Sequence, residues 1–368
     1  MFSFLSNNTL SRADLVSSGD IHNIHYGDVL IKYGSIIDVE YDDIPCIAHG
    51  RESKGTPYLC DGDVIIADTA EDETVGKCCE IINITDAKIE SGLHTIPCRP
   101  MLTFAPMFLG YYMNSYYYHK QLFPLMQGVK VLSISKGNIG GTLISLPHSY
   151  SEQKKIVDLL HLIDIRIRKQ QQIIETLKKY KRGAITRLLS GKAKEFSAET
   201  SWTDRTLAEL CCEFRSGRNI SATHIHETGE YPVYGGNGIR GYCEQYSHDG
   251  EYVVVGRQGA LCGNVRLIQG QNYLSEHAIA VRANEENETK FLLYLLDFMK
   301  LGQYSDQGAQ PGLAVNNLIR LRCTVPDKKT QTKIASLLLS FDKHISVQEE
   351  ILSSLITQRN ALLQQLFI

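Results

Sequence analysis

Several features common in proteins are missing from this 368-residue sequence, and each absence excludes a class of protein. No run of about 18 apolar residues occurs, so no membrane-spanning helix is expected. Residues 1–10 lack a basic segment followed by an apolar run, so no secretory signal peptide is expected. The 10 cysteines form no CxxC pair, and in a chain without a secretion signal we expect them to be buried, reduced thiols. Together these absences predict a cytoplasmic protein.

Motifs for nucleotides and for methyl transfer are also absent. There is no GxxxxGK[ST] phosphate-binding loop, and no Asn-Pro-Pro-Tyr or Asp-Pro-Pro-Tyr of a methyltransferase. Residues 236–241 match GxGxxG, but a dinucleotide site needs that string between a strand and a helix. Here a turn-rich segment follows, so a glycine loop that presents Asn237 and Arg240 is the favoured interpretation.

Metal ligands are not predicted either. The histidine pairs His22/His25 and His224/His226 have no acidic or cysteine partners at ligand spacing, so ordinary turn histidines are the simpler interpretation. We therefore predict no catalytic residue, no metal and no cofactor bound by this chain.

Charge is distributed unevenly along the chain. The net charge is −7 for residues 1–147, +7 for 148–192, −1 for 193–199, −3 for 200–325 and +1 for 326–368. Basic charge is thus concentrated in one segment. This distribution is not the usual one of a protein that binds nucleic acid by itself.

An internal repeat at a separation of 178 residues is the clearest positive feature. Gln153-Lys154-Lys155-Ile156 corresponds to Gln331-Thr332-Lys333-Ile334, and a proline opens each copy, at Pro147 and Pro326. Proline suits the first turn of a helix because its missing N–H has no partner there. Both copies then carry apolar residues at heptad spacing, which predicts two long helices.

Polar residues interrupt the two apolar stripes at matching places. Gln170 corresponds to Gln348, and Lys181 corresponds to Arg359. A polar residue on the seam of a coiled coil costs stability but fixes the register of the helices. The sequence therefore predicts that the two helices pack on each other, with these four residues setting the register.

The globular segments repeat more faintly. Leu93-His94-Thr95-Ile96 resembles Glu276-His277-Ala278-Ile279, and both halves show short β-runs separated by turn residues. One internal helix is expected in each half, near 104–118 and 289–301. The predicted class is α+β with a pseudo-twofold internal repeat. The predicted order is a globular domain over 1–147, a helix over 148–192, a linker over 193–199, a second globular domain over 200–325 and a helix over 326–368.

Two diverged halves joined by long helices suit a protein that reads two different sites a set distance apart. Duplex DNA presents such a problem, because equivalent faces of its major groove recur once per helical turn, about every 34–36 Å. Arg can pair bidentately with guanine, and Asn or Gln with adenine. For each single residue, a solvated turn is an equally good interpretation. Candidate DNA contacts are Arg215, Arg218, Asn237, Arg240, Arg257, Gln258, Gln307 and Gln310 in the second half, and Asn7, His25, Tyr26, Thr69, Gln127 and Lys130 in the first. Asp68 is a further candidate, as an acceptor for a cytosine amino group.

These features resemble the specificity (S) subunit of type I restriction–modification enzymes. The resemblance rests on the two helix blocks, on Asn23-Ile24-His25-Tyr26-Gly27-Asp28 and on the Tyr234-Gly235-Gly236-Asn237-Gly238 loop, and it spans nearly the whole chain. It implies two target-recognition domains, each reading one half of a split double-stranded DNA target, and an antiparallel coiled coil between them. When Leu10-Ser11 is aligned with Ile220-Ser221, the first domain is expected to be shorter at its start than the second.

The resemblance also implies partners. Two modification subunits would dock on this chain and use S-adenosylmethionine to methylate adenine, and restriction subunits would add ATP- and Mg-dependent cleavage. All catalytic residues and cofactors would belong to those subunits. We expect weak DNA binding by this chain alone, because phosphate contacts supply most of the affinity and the globular segments of this chain are acidic. Alternatives are a scaffold that binds only proteins, a specificity subunit of a related methylation-based defence system, and an enzyme in its own right.

Overall fold

The computed structural model describes residues 1–147, 149–190, 201–259, 261–306 and 312–367. The predicted linker 193–199 and the candidates Gln307 and Gln310 lie outside these ranges. The contacts divide the chain into unit 1, formed by Met1–Gln170 and Ile351–Ile368, and unit 2, formed by Gln171–Glu350. Both units contain helices and strands, so the predicted α+β class is confirmed.

Unit 1 contains eleven described strands and three short α-helices. The strands are β1 Phe2–Phe4, β2 Leu15–Val16, β3 Ile21–Ile24, β4 Ile36–Asp38, β5 Cys46–Ile47, β6 Val64–Ala67, β7 Thr69–Ala70, β8 Cys78–Ile82, β9 Lys88–Ser91, β10 Thr95–Pro100 and β11 Leu132–Ser133, and the short helices are α1 Phe108–Met113, α2 Tyr116–His119 and α3 Lys136–Gly140. The strands form a five-stranded sheet in the order β1-β10-β6-β8-β4, a four-stranded sheet in the order β2-β5-β3-β9 and the pair β11-β7. Pairing is antiparallel except for β4 with β8 and β3 with β9. A π-helix covers Asp28–Lys32, and 3-10 turns cover Arg12–Asp14 and Phe123–Leu125.

Unit 2 contains nine described strands and three short α-helices. The strands are β12 Thr203–Thr206, β13 Cys211–Ser216, β14 Tyr231–Gly235, β15 Gly238–Cys243, β16 Tyr252–Gly256, β17 Val265–Ile268, β18 Tyr273–Leu274, β19 Ala278–Ala283 and β20 Arg322–Val325, and the short helices are α5 Leu207–Leu210, α6 Thr289–Phe298 and α7 Val315–Leu318. The strands form a four-stranded antiparallel sheet in the order β13-β19-β16-β17, a three-stranded sheet in the order β15-β14-β18 and the pair β12-β20. Short 3-10 turns cover Ala222–His224 and Leu301–Tyr304.

The two predicted long helices are α4 Tyr150–Leu189 and α8 Lys328–Leu366. Side chains just before each helix bind its first free N–H groups. The Ser149 hydroxyl accepts from the Glu152 N–H at 3.1 Å, and the Asp327 carboxylate accepts from the Thr330 N–H at 3.0 Å. Such caps satisfy N–H groups that have no partner inside the helix, and they fix where each helix begins.

The apolar stripes of both helices are buried in the cores of the units. In unit 1, Val157 and Leu160 of α4 lie in one cluster with Leu363 and Phe367 at the end of the chain. In unit 2, a corresponding cluster combines Ile185, Leu188, Ile334 and Leu338 with Phe291 of the sheet domain. Each core is therefore built from one sheet domain and from segments of both helices.

The predicted internal helix near 104–118 is wrong in its extent. Its first helical residue is Phe108, because Met107 adopts a left-handed backbone with φ of 72°. The helix then ends at Met113, and α2 begins afresh after Ser115, whose hydroxyl accepts from the Tyr118 N–H at 3.3 Å. A residue that bonds to the backbone in this way favours a cap over a helix interior. In unit 2 the corresponding helix, α6, is continuous over Thr289–Phe298.

Glu80 lies buried under the start of α1, where its carboxylate accepts from the N–H groups of Met107 at 2.6 Å and Gly110 at 2.9 Å. Burial raises the pKa of Glu80 to about 7, and these N–H donors lower it by a smaller amount. Since the folded pKa exceeds the unfolded one, the stability linked to this group is fully present below the unfolded pKa. It is lost as the pH rises through the folded pKa.

We expect this linkage to disappear in Glu80→Gln. Between about pH 4.5, the ordinary pKa of a glutamate, and pH 7, the folded pKa, the free energy of unfolding should fall more steeply for the wild type, by about 1.4 kcal/mol per unit of pKa difference. Urea unfolding at a series of pH values measures this. Parallel pH profiles for the two proteins would contradict the assignment.

Candidate nucleic-acid interface

One turn occupies the same place in the sheet of both units. We call residues 92–94 and 275–277 the histidine turns, because each ends in a histidine just before a central strand. Their pairing partners match: Thr95 lies opposite Ala67, and Ala278 lies opposite Gly256. The backbone bonds match too, since the His94 carbonyl accepts from the Asp68 N–H at 3.1 Å and the His277 carbonyl accepts from the Arg257 N–H at 2.9 Å.

In unit 1, polar side chains from distant segments meet at this turn. The His94 Nδ1 lies 3.2 Å from a carboxylate oxygen of Asp68, to which the Thr69 hydroxyl donates at 2.7 Å. The Tyr26 ring meets His94 edge-on, with ring centroids 5.4 Å apart. The Asn7 amide donates to the Gly92 carbonyl at 3.1 Å. Four of the predicted candidates, Asn7, Tyr26, Asp68 and Thr69, are thus brought to one place.

A hairpin loop carries two further candidates to the same region. Ser133 pairs with Thr69, and the backbone groups of Gln127 exchange both hydrogen bonds with Ser133 at 2.8 and 2.9 Å. Gly128 at φ 123° allows the chain to turn close to Val131, where a Cβ would lie 1.9 Å from a carbonyl oxygen. The loop holds Gln127 and Lys130 exposed to solvent.

His25 is placed differently from the other candidates of unit 1. It is only 8% exposed, and its Nδ1 accepts from the Gly27 N–H at 3.2 Å. Burial lowers its pKa, as does the nearby charge of Arg12. Its ring lies 4.6 Å from that of Tyr26, so its main contact is with a neighbouring candidate.

In unit 2, the glycine loop is the turn of a hairpin between β14 and β15. A Cβ at Gly236 would lie 2.7 Å from the Gln258 carbonyl oxygen and 3.3 Å from that of His277, so only glycine lets the hairpin pack this closely. The GxGxxG string therefore joins two strands and is not followed by a helix. It carries the exposed Asn237 to the histidine turn.

Of the other described candidates of unit 2, Arg218, Arg240 and Gln258 lie around the same turn. The Gln258 side-chain oxygen lies 2.5 Å from the His277 Nδ1, and the His277 Nε2 lies 3.1 Å from Glu276. The backbone N–H of Arg218 donates to the Leu274 carbonyl at 2.8 Å. The Arg240 side chain packs over Gly235, where a Cβ would lie 2.4 Å from its Cδ.

The arginines around this turn fall into two groups. Arg215 pairs with Glu213 at 2.6 Å, and Arg257 donates to the carbonyls of Leu313 and Glu276, each at 3.3 Å. By contrast, Arg218 and Arg240 have no carboxylate within 4 Å in the part of the chain that the structure describes. Their donors are therefore available to a ligand, whereas those of Arg257 hold the fold together.

Sequence reasoning missed three residues of this surface. Arg266 was not singled out, yet its guanidinium lies where a Cβ on Gly238 would be, 2.6 Å away. His94 and His277 were noted only as part of a repeated string. That repetition was the available signal, because the histidine persists where most neighbouring residues have diverged.

Among the described residues, no group of three or more histidine, cysteine, aspartate or glutamate side chains is arranged to hold a metal ion. No helix there is both long and apolar enough to cross a membrane.

The two histidine turns present different polar side chains from sheet domains with matching strand pairing. Comparison with known proteins shows what this chain is similar to. Residues 199–356 match the family described as the type I restriction modification DNA specificity domain. The predicted resemblance to type I specificity subunits is confirmed.

Two curated relatives match part of this chain. The type I restriction enzyme EcoprrI specificity subunit of Escherichia coli is 44% identical over 159 residues, covering 42% of this chain and 38% of that protein. The putative type I specificity subunit S.MpnORF285P of Mycoplasma pneumoniae is 29% identical over 139 residues, covering 36% of this chain and 45% of that protein. The matches thus span less than half the length of each relative.

Solved structures extend the similarity to the whole fold. The S subunit of a type I restriction–modification system from M. genitalium aligns with a TM-score of 0.64 and 17% identity, covering 100% of this chain and 94% of the other. A chain from a structure concerned with assembly and conformational transition of the type I system gives a TM-score of 0.54 and 18% identity, with 90% of each chain covered. At these identities the comparison concerns the fold alone.

We expect Arg257→Ala to lower stability by about 1–3 kcal/mol, because two carbonyl groups lose a charged donor. Arg240→Ala, which removes an arginine without such bonds, should leave stability nearly unchanged. Urea unfolding of the two variants makes the comparison. Equal losses would contradict the division of the arginines into two groups.

Proposed function

We propose that this chain is the non-catalytic, sequence-reading subunit of a type I restriction–modification enzyme, in which unit 1 reads one half of a split DNA target and unit 2 reads the other. The observation that carries the proposal is the convergence of the candidate side chains on one turn in each unit. The scaffold around the turn is alike in the two units, whereas the side chains it presents differ. Such an arrangement suits two half-sites of different sequence.

The chemistry of the two surfaces fits base edges in the major groove. Arg218 and Arg240 offer paired N–H donors, which match the O6 and N7 acceptors of guanine. His277 binds the side-chain carbonyl oxygen of Gln258, so the side-chain N–H₂ of Gln258 is left to donate. In unit 1, Asp68 is an acceptor suited to a cytosine amino group, and Thr69 and Gln127 can each donate or accept.

Contacts of the long helices support an antiparallel coiled coil as the connector. In unit 2, Lys178 pairs with Glu349 at 2.9 Å and Lys181 pairs with Asp342, so numbering rises along α4 as it falls along α8. In unit 1, Arg359 pairs with Asp164 at 2.6 Å. Lys181 and Arg359, two of the predicted register residues, thus each pair with an aspartate of the other helix. The register role of Gln170 and Gln348 remains a prediction.

The proposed function also implies that this chain binds modification and restriction subunits. The globular segments are acidic overall, so most phosphate contacts would come from two modification subunits docked on this chain. Those subunits would hold S-adenosylmethionine, and restriction subunits would hold ATP and Mg. The same surfaces would serve a related defence system that only methylates.

We expect substitutions near one histidine turn to relax one half-site alone. Each of Arg240→Ala and Gln258→Ala, tested in the assembled modification enzyme, should reduce discrimination by about 1–3 kcal/mol at one or two positions of one half-site. Thr69→Val and Gln127→Ala should affect the other half-site. The readout is sequencing of methylated sites in a host that expresses each variant.

Arg320→Ala is a matched control, because Arg320 is an exposed arginine of unit 2 away from the histidine turn. The carbonyl of the neighbouring Ile319 accepts from the backbone N–H of Ala208. It should leave the target unchanged. If all the variants retain the wild-type target, the chain is better described as a scaffold that binds only proteins.

We further expect the helices to set the distance between the half-sites. Insertion of whole helical turns into α4 and α8 should lengthen the spacer of the methylated target, since each residue adds 1.5 Å along a helix. Both half-sites should keep their sequences. A spacer of unchanged length would defeat the proposal that the helices act as a ruler.

A further inference from the structure

A three-residue junction lies outside the histidine turn in unit 1. The Tyr111 hydroxyl of α1 donates to one oxygen of Asp164 in α4 at 2.8 Å. The other oxygen accepts from the Arg359 Nε of α8 at 2.6 Å. The Arg359 guanidinium also lies 6.0 Å from the centre of the Tyr111 ring, which closes the junction as a cation–π contact.

Unit 2 contains a junction of the same kind, with a lysine in place of the arginine. The Tyr294 hydroxyl of α6 donates to one oxygen of Asp342 in α8 at 2.6 Å. The other oxygen accepts from the Lys181 Nζ of α4 at 2.5 Å, and the same Nζ lies 5.5 Å from the centre of the Tyr294 ring. In each unit the tyrosine comes from the sheet domain, the aspartate from the long helix that follows it, and the cation from the other long helix.

The geometry makes each aspartate a branch point. Its two oxygens bind different elements, so neither element can shift without breaking a charge-assisted hydrogen bond, the stronger kind. Tyr111 and Tyr294 are fully buried, and the ion pairs are partly shielded from water, with side-chain exposures of 22% for Asp164 and 38% for Asp342. These exposures set the junctions apart from an ordinary surface ion pair, which contributes little.

We propose that Asp164 and Asp342 are positioning residues that fix each sheet domain against both long helices, and thereby fix the spacer length accepted between the two half-sites. This inference rests on the proposed function and deepens it. It assigns sequence choice to the histidine turns and distance tolerance to the two junctions.

The two junctions differ in strength. The Arg359 guanidinium makes a second hydrogen bond, in which its Nη2 donates to the Ser35 hydroxyl at 3.0 Å. Ser35 is a buried residue of the sheet domain. Lysine carries a single nitrogen, so Lys181 has no equivalent second group. The junction of unit 1 is also the less exposed, so its loss is expected to have the larger effect.

The test uses the full chain assembled with its modification subunits, with sequencing of all methylated sites as the readout. For Asp164→Asn we expect unchanged half-sites, together with at least a tenfold rise in methylation at spacers one base pair longer or shorter. Asp342→Asn should give the same result to a lesser degree. Tyr111→Phe and Tyr294→Phe, which each remove one oxygen atom, should reproduce the effect even if an aspartate variant fails to fold.

Two controls separate the junctions from other ion pairs of the same helices. Asp158→Asn breaks an exposed pair with Lys154, and Glu349→Gln breaks the pair between Lys178 and Glu349, which lacks a tyrosine. Both should keep the wild-type spacer.

Unchanged spacers in the folded tyrosine and aspartate variants would overturn the inference, as would altered half-sites. Failure of the proposed function has a different signature, because the wild-type chain itself would then direct no methylation of a split target.

Discussion

The apolar stripe of each long helix has to be buried, and the rest of the structure depends on how the two units bury it. In unit 1, Leu160 and Leu363 pack with Phe108 of the sheet domain, and in unit 2, Leu188 and Leu338 pack with Phe291. Each such side chain contributes about 1.5–3 kcal/mol on full burial. A sheet domain therefore cannot be separated from the helices without exposing its own core.

This constraint explains why the two surfaces can diverge while the scaffold stays alike. The core and the junctions fix the strands, and the strands fix the histidine turns. Most side chains around those turns are at least partly exposed, and those that do not bind backbone carbonyls as Arg257 does contribute little to stability. Thr69 in one unit and Gln258 in the other can therefore differ freely, each beside its histidine.

Sequence periodicity predicted what is local. The helices expected over 148–192 and 326–368 run from Tyr150 to Leu189 and from Lys328 to Leu366, since a heptad pattern over about 40 residues leaves little choice of structure. The helix expected near 104–118 was less well predicted, because a left-handed Met107 and a capping Ser115 interrupt it. A single backbone angle of this kind leaves no periodic signal.

The candidate site was predictable only as a set of residue types. Asn7 and Gly92 are 85 residues apart in sequence, and their contact depends on strand pairing that no local pattern reveals. Residue type also did not distinguish Arg257, whose donors bind backbone carbonyls, from Arg240, whose donors remain available. That difference depends on what surrounds each side chain after folding.

The most direct test of this account is to sequence the methylated sites of a host with and without this chain, with the modification subunits present in both. A new methylated target made of two separated half-sites should appear only when the chain is present. An unchanged pattern of methylation, or a target that is one continuous sequence, would contradict it.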